Sequence, residues 1–91
     1  MTFIFEWDDR KAKTNARKHG VTFVEATTIF SDPYLISFSD EAHAENEDRF
    51  ISIGQSERGR VLLVVHTDRD NSIRLISCRK ATAQERMYYE R

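Results

Sequence analysis

Cysteine and proline occur once each in the 91 residues, at Cys78 and Pro33, and glycine only three times. A single thiol can form neither an internal disulfide nor a cysteine metal cluster. With 40% hydrophobic residues and so little proline and glycine, the composition is that of a folded domain and not of a linker or disordered tail. No apolar run approaches the roughly 20 residues that a membrane-spanning helix needs. The opening MTFIFEWDD lacks the basic start and long apolar core of a secretion signal, so the expected location is the cytoplasm, with no membrane contact. Also missing are a glycine-rich phosphate loop, a G-x-S-x-G elbow and a paired-histidine zinc motif. His19, His43 and His66 are widely scattered, and neither a metal nor a cofactor is expected.

The length allows one domain, spanning 1–91, which buries roughly 60% of its unfolded surface and gains stability from any partner selective for the folded form. Its formal charge of −1 averages over unlike segments. Residues 1–39 balance five cations against five acids, 40–48 (DEAHAENED) hold five acids and no Lys or Arg, and 49–91 hold nine cations against five acids. The cationic half is where an anionic ligand is expected. The acidic segment, without periodicity, reads as an exposed loop.

Local patterns give the order of elements. FIFEW (Phe3 to Trp7) reads as an opening strand and Asp8 as the cap of a helix over about Asp9 to Lys18, with Arg17 and Lys18 in its last turn and Gly20 as its stop. Thr22 and Glu25 have capping-box spacing for a second helix, in which Phe23, Ala26 and Phe30 share a core face. Asp32 before Pro33 ends it. Tyr34 to Ser39 and Arg49 to Ser56 read as strands. The apolar run Val61 to Val65, entered through a glycine hairpin turn, reads as a central strand covered on both faces. In SIRLISCRK, period two places Ile73, Leu75, Ser77 and Arg79 on one face and Arg74, Ile76, Cys78 and Lys80 on the other. Thr82 and Glu85 repeat the capping box before a short last helix. The expected fold is α+β: an N-terminal strand, two helices over one face of a mostly antiparallel four- or five-stranded sheet, and a short C-terminal helix.

Cations dominate the remaining polar positions. Lys11, Lys13, Arg17 and Lys18 sit on a helix whose only apolar stripe is Ala12 and Ala16, so most of that helix faces water or a ligand. Arg49, Arg58, Arg60, Arg69, Arg74, Arg79 and Lys80 are spread over strands and turns, and a guanidinium can bind phosphate oxygens bidentately. Arg79 and Lys80 precede Tyr88 and Tyr89, rings able to stack a base. Cys78 reads as a small buried residue.

The blocks FEWDDRKAKTNARKHGVTF, IFSDP, RFISIGQSERGRVLLVVHTDRD and IRLISCRKATAQERMYY resemble the BrnT family over nearly the whole chain. Its motif residues stand here as Trp7, Asp8, Lys11, Asn15, Lys18, His19 and Gly20, then Arg49, Gly54, Gly59, Arg60, Thr67, Arg69, Arg74, Ser77, Arg79, Ala81, Glu85, Arg86 and Tyr89. Cys78 stands where the family often has alanine. The resemblance implies a RelE-like fold and the ribonuclease toxin of a type II toxin–antitoxin pair, with RNA as substrate. It also implies a DNA-binding BrnA-like antitoxin as partner in a hetero-oligomeric complex; direct DNA binding by this chain is not expected.

Metal-independent RNA cleavage by a ribose 2′-hydroxyl needs a base, cations for the pentacovalent phosphorus and an acid. The expected roles are Arg79 at the phosphorane and His66, Lys18 or His19 in proton transfer, with Tyr89 or Tyr88 against a base. Arg69, Lys80, Arg74, Arg60, Arg49 and Lys11 are expected along the RNA backbone. Blocked translation follows from such cleavage. A noncatalytic protein- or nucleic-acid-binding module of the same fold is the alternative.

Overall fold

Asp8 starts the first helix as expected: its Oδ1 accepts the Lys11 backbone N–H at 3.0 Å. The computed structural model describes residues 3–43 and 48–91. Strand β1 (Ile4–Glu6) precedes helix α1 (Asp9–His19), which stops at Gly20 with φ 69, a left-handed conformation that glycine adopts without strain. Helix α2 (Phe23–Thr27) runs into a 3₁₀ turn, Thr28–Ser31. Strand β2 (Ile36–Ser39) and a second 3₁₀ turn (Glu41–His43) lead to β3 (Arg49–Gln55), β4 (Val61–Arg69), β5 (Ser72–Lys80) and helix α3 (Ala83–Tyr89). Of the acidic segment, 44–47 lies outside the described residues; Glu41, Ala42 and Asp48 are exposed, whereas Asp40 is half-buried against Arg49.

The sheet is five-stranded in the order β1-β5-β4-β3-β2, parallel only between β1 and β5. The hydrophobic run of β4 lies at its centre, where neighbours on both sides take its backbone groups. One face packs under α1, α2 and the 3₁₀ turn. Val21, Phe23, Ala26 and Ile29 meet Leu62, Val64, Ile73, Leu75 and Cys78 there, and Trp7 sits edge-on to Phe23 at 5.9 Å. Gly54 lets the 3₁₀ turn approach β3, for a Cβ there would lie 3.1 Å from that of Ile29 and 2.9 Å from Leu35 Cδ1.

The other face is a ladder of in-register rungs. The first is Ile36, Ile53, Leu63 and Arg79; the second Phe38, Ile51, Val65 and Ser77; the third Arg49, Thr67 and Arg74, with Glu6 beyond. Helix α3 crosses the first rung, where Ile53 and Leu63 are buried.

Two local expectations are corrected. In β5 the register breaks opposite Val65 and His66, where Ser77 pairs with Val65 but Leu75 pairs with His66, leaving Ile76 as an extra residue. This bulge reverses the alternation. Ile73 and Leu75 therefore share the core face with Cys78, while Arg74 lies with Ser77 and Arg79. At α2, Thr22 Oγ1 accepts the Glu25 N–H at 3.1 Å, but the Glu25 side chain does not return to Thr22. It turns inward to a partner thirty-five residues on. The Thr82 and Glu85 box of α3 forms in full.

Candidate functional site

Several candidate groups are committed to partners within the chain. The Glu25 carboxylate, 4% exposed, accepts from Ser56 Oγ at 2.7 Å, from Arg60 Nε at 2.9 Å and from Arg60 Nη2. The Arg60 guanidinium beside it holds the Glu25 carboxyl below its usual range. Arg79 gives both terminal nitrogens to Glu85, at 2.7 and 2.9 Å, and the same carboxylate caps α3 through the Thr82 N–H at 2.8 Å. Together these push the Glu85 carboxyl down to about 2, with Arg79 the largest cause. The Tyr89 hydroxyl donates to Asp32 Oδ2, which also accepts the Gln55 N–H at 2.7 Å, so the end of α3 is tied to the end of β3. Burial, and then Asp32, push the Tyr89 hydroxyl up to about 12. Arg49 Nε faces Asp40 Oδ2 at 3.4 Å.

His66 lies on the core face, 3% exposed. Its Nδ1 pairs with Asp68 Oδ1 and its Nε2 with Ser52 Oγ, each at 2.7 Å, and Ser52 Oγ bonds Ser37 Oγ at 2.7 Å. Phe30 meets the ring edge-on and Phe50 stacks on it. Burial lowers its pKa, against the opposing pull of Asp68. The sheet separates it from Arg74 and Arg79.

A different set of cations makes no side-chain hydrogen bond or close ion pair among the described residues, Arg10 and Lys11 feeling only the nearby Asp8 charge. Along α1, residues 10, 11, 14, 15, 18 and 19 recur at helical spacing and form one face. That face and the β5 bulge bound a groove of about 340 Å³ lined by Arg10, Lys11, Thr14, Asn15, Lys18, His19, Ile76 and Ser77. Three permanent cations and an imidazole line it, and no carboxylate does. Its floor is rigid, because Asn15 acts as an added rung on the open edge of β5. Asn15 Nδ2 donates to the Cys78 carbonyl at 2.9 Å and to the Val21 carbonyl at 3.0 Å, and its Oδ1 accepts the Cys78 N–H at 3.0 Å. Burial lifts the Cys78 thiol to about 11, so it is a packing residue and no nucleophile at neutral pH. Ser77 borders the groove and pairs with Val65 on the second rung of the ladder face.

The sequence candidates thus fall into three places. Lys11, Lys18 and His19 line the groove; Arg49, Arg69, Arg74 and Arg79 share the ladder face; His66 is within the core face. Arg60 and Tyr89 serve as internal ties, and Lys80 and Tyr88 are exposed and do not line the groove. Arg10 was not singled out from the sequence, and Ser77 and Thr67 stood there only as motif residues without a role. Arg10 is signalled by its helical spacing to Thr14 and Lys18, whereas Ser77 requires the bulge. Among the described residues no three His, Cys, Asp or Glu side chains form a metal-holding group, and no helix is long and apolar enough to cross a membrane.

The family model described as the ribonuclease toxin, BrnT, of type II toxin–antitoxin systems matches residues 7–85. The chain belongs to that family. A crystal structure of the Brucella abortus ribonuclease toxin BrnT is similar in fold, with a TM-score of 0.67 and 24% identity over 89% of this chain and 99% of that one. No curated protein matches the sequence. Among the BrnT motif residues, Asp8, Gly20, Gly54, Arg60, Glu85 and Tyr89 cap, turn or tie the fold, while Lys11, Lys18 and His19 line the groove and their side chains make no hydrogen bond or close ion pair among the described residues. The groove brings three of the cations of this BrnT chain together with no carboxylate in its lining.

Proposed function

We propose that this BrnT-family chain is a metal-independent endoribonuclease whose reaction takes place in the groove between α1 and the β5 bulge. The observation that carries this reading is a set of three cations and an imidazole around one groove, with no carboxylate there to neutralise them. The same composition supports metal independence, since such a groove offers a divalent cation repulsion and no oxygen ligands of charge.

In this reading Lys11, Lys18 and Arg10 hold the nonbridging oxygens of a phosphodiester, where negative charge grows as phosphorus becomes pentacovalent. The neighbouring ribose 2′-oxygen attacks phosphorus, its proton passes to the base, and the bond to the 5′-oxygen breaks as that oxygen takes a proton. The products are a 2′,3′-cyclic phosphate and a 5′-hydroxyl. His19 lines the groove and supplies one of the two proton transfers. Arg79, held by Glu85, positions α3 and leaves the phosphorane to the groove cations. Cleavage of messenger RNA stops translation, and the cognate antitoxin restores it.

The test is purified chain incubated with RNA in excess chelator, with end-group analysis of the fragments. Cyclic-phosphate termini formed at an undiminished rate are expected. Intact RNA in chelator with cleavage restored by magnesium would sink metal independence, and intact RNA under both conditions would favour a binding module.

A further inference from the structure

The ladder face is covered unevenly. Beneath α3, Ile53 and Leu63 are 3% and 7% exposed, but on the next rung Ile51 and Val65 are only half-buried and Phe38 is 46% exposed. These side chains lie on the opposite side of the sheet from the main core. The adjoining rung changes character to Arg49, Thr67 and Arg74. The Thr67 hydroxyl there is buried, the residue being 8% exposed, and its Oγ1 has no hydrogen-bond partner among the described residues. A buried hydroxyl without a partner costs free energy that a ligand atom can recover. Arg74 is exposed, and Arg49 presents a buried Nε whose contact with Asp40 is a 3.4 Å ion pair without hydrogen-bond geometry.

We propose that this face is the docking surface for an acidic, amphipathic segment of the cognate antitoxin. Apolar side chains of the segment cover Phe38, Ile51 and Val65, and a carboxylate sits on the Arg49, Thr67 and Arg74 rung. Adjacent same-face rungs are about 7 Å apart. One helical turn, about 5.4 Å, or two residues of strand therefore carries the segment from an apolar contact to the acidic one. The aliphatic rungs beside the arginines favour a segment that is itself partly apolar over RNA, whose phosphate backbone would find only the arginine rung to bind. The inference rests on membership of a toxin–antitoxin family and deepens the proposed function by naming how the antitoxin grips the chain.

The experiment measures affinity for the chain's own antitoxin, purified from the complex, by titration against wild type, Phe38→Ser, Arg74→Glu and, as a control on the helix side, Val24→Ser, a residue 63% exposed. Circular dichroism confirms that each variant is folded, and the exposed Arg74 keeps the test intact should Phe38→Ser fail to fold. Both ladder variants are expected to bind at least about tenfold more weakly, with Val24→Ser unchanged and Phe38→Ser still cleaving RNA. Unchanged affinity in both ladder variants would overturn the proposal. So would an RNA-binding loss in Arg74→Glu without loss of antitoxin, which would give the arginine rung to nucleic acid. A free chain that is dimeric as wild type and monomeric as Phe38→Ser would give the face to a second copy, also overturning it. Weakened antitoxin binding in a chain that cleaves no RNA would leave the docking surface standing while the ribonuclease mechanism fell.

Discussion

The end of the sheet near Glu25 and α3 and the groove along α1 are built from the same residue types to opposite effect. At the first, Arg60 meets Glu25, Arg79 meets Glu85 and Tyr89 meets Asp32, so each ionised or polar group is spent on joining two segments. In the groove, Arg10, Lys11 and Lys18 surround a space with no carboxylate. An arginine in a sequence is therefore poor evidence for a ligand until its carboxylate partner is sought. Paired cations stabilise this chain, whereas unpaired ones are available to bind.

The sharpest way to break that contrast is to remove cations from the groove. Lys11→Ala combined with Lys18→Ala is expected to slow RNA cleavage by at least about 100-fold, while the unfolding free energy changes by less than about 0.5 kcal/mol. Cleavage assays and urea unfolding on the same preparation check both. A double variant that unfolds readily, or that cleaves normally, would erase the distinction between the two regions.

The opposite behaviour is expected at Glu25. Replacing it by Ala leaves the Arg60 guanidinium, 28% exposed, and the Ser56 hydroxyl without their carboxylate, at a cost of about 3 kcal/mol. Urea midpoints measure the loss, and it should vanish in the background of a second substitution, Arg60→Met, that removes the orphaned charge. Asn15 belongs to both regions, since it borders the groove yet holds β5. Asn15→Asp removes both donors and sets an oxygen against the Val21 and Cys78 carbonyls, for a loss of about 2 to 3 kcal/mol at neutral pH. Protonation of the new carboxyl restores a donor, so the penalty should shrink on acidification.

What was legible in the sequence follows the range of each interaction. As caps and stops, Asp8, Gly20 and the Thr82–Glu85 box act within four residues, and spacing located them. Val61 to Val65 announced the central strand, although its ladder face is covered only at Leu63 and stays half-exposed at Val61 and Val65. The face of α1 carrying Lys11, Lys18 and His19 also follows from helical spacing. Glu25 was misread because its choice between Thr22 and Arg60 depends on where the β3–β4 hairpin lands. The bulge at Ile76 was invisible for the same reason: it exists only in the pairing with β4, yet it decides whether Arg74 joins Ser77 or Cys78. Asn15 joins Cys78 across sixty-three residues, which no local pattern encodes.

Acid provides the mildest test of the paired end. The Glu85 carboxyl is depressed from 4.5 to about 2 by Arg79 and its cap contacts. A group whose folded pKa lies below its unfolded one binds fewer protons when folded, so its contribution is present above pH 4.5 and is lost as the pH falls toward 2. Arg79 is 39% exposed, and solvent screening reduces the contribution to about 1 kcal/mol. Glu85→Gln keeps the side-chain length and should be less stable than wild type by that amount at pH 6, with the gap closing by pH 2. Urea titrations at both pH values check it; a gap that persists in acid would show that Glu85 acts through shape and capping and not through its charge on Arg79.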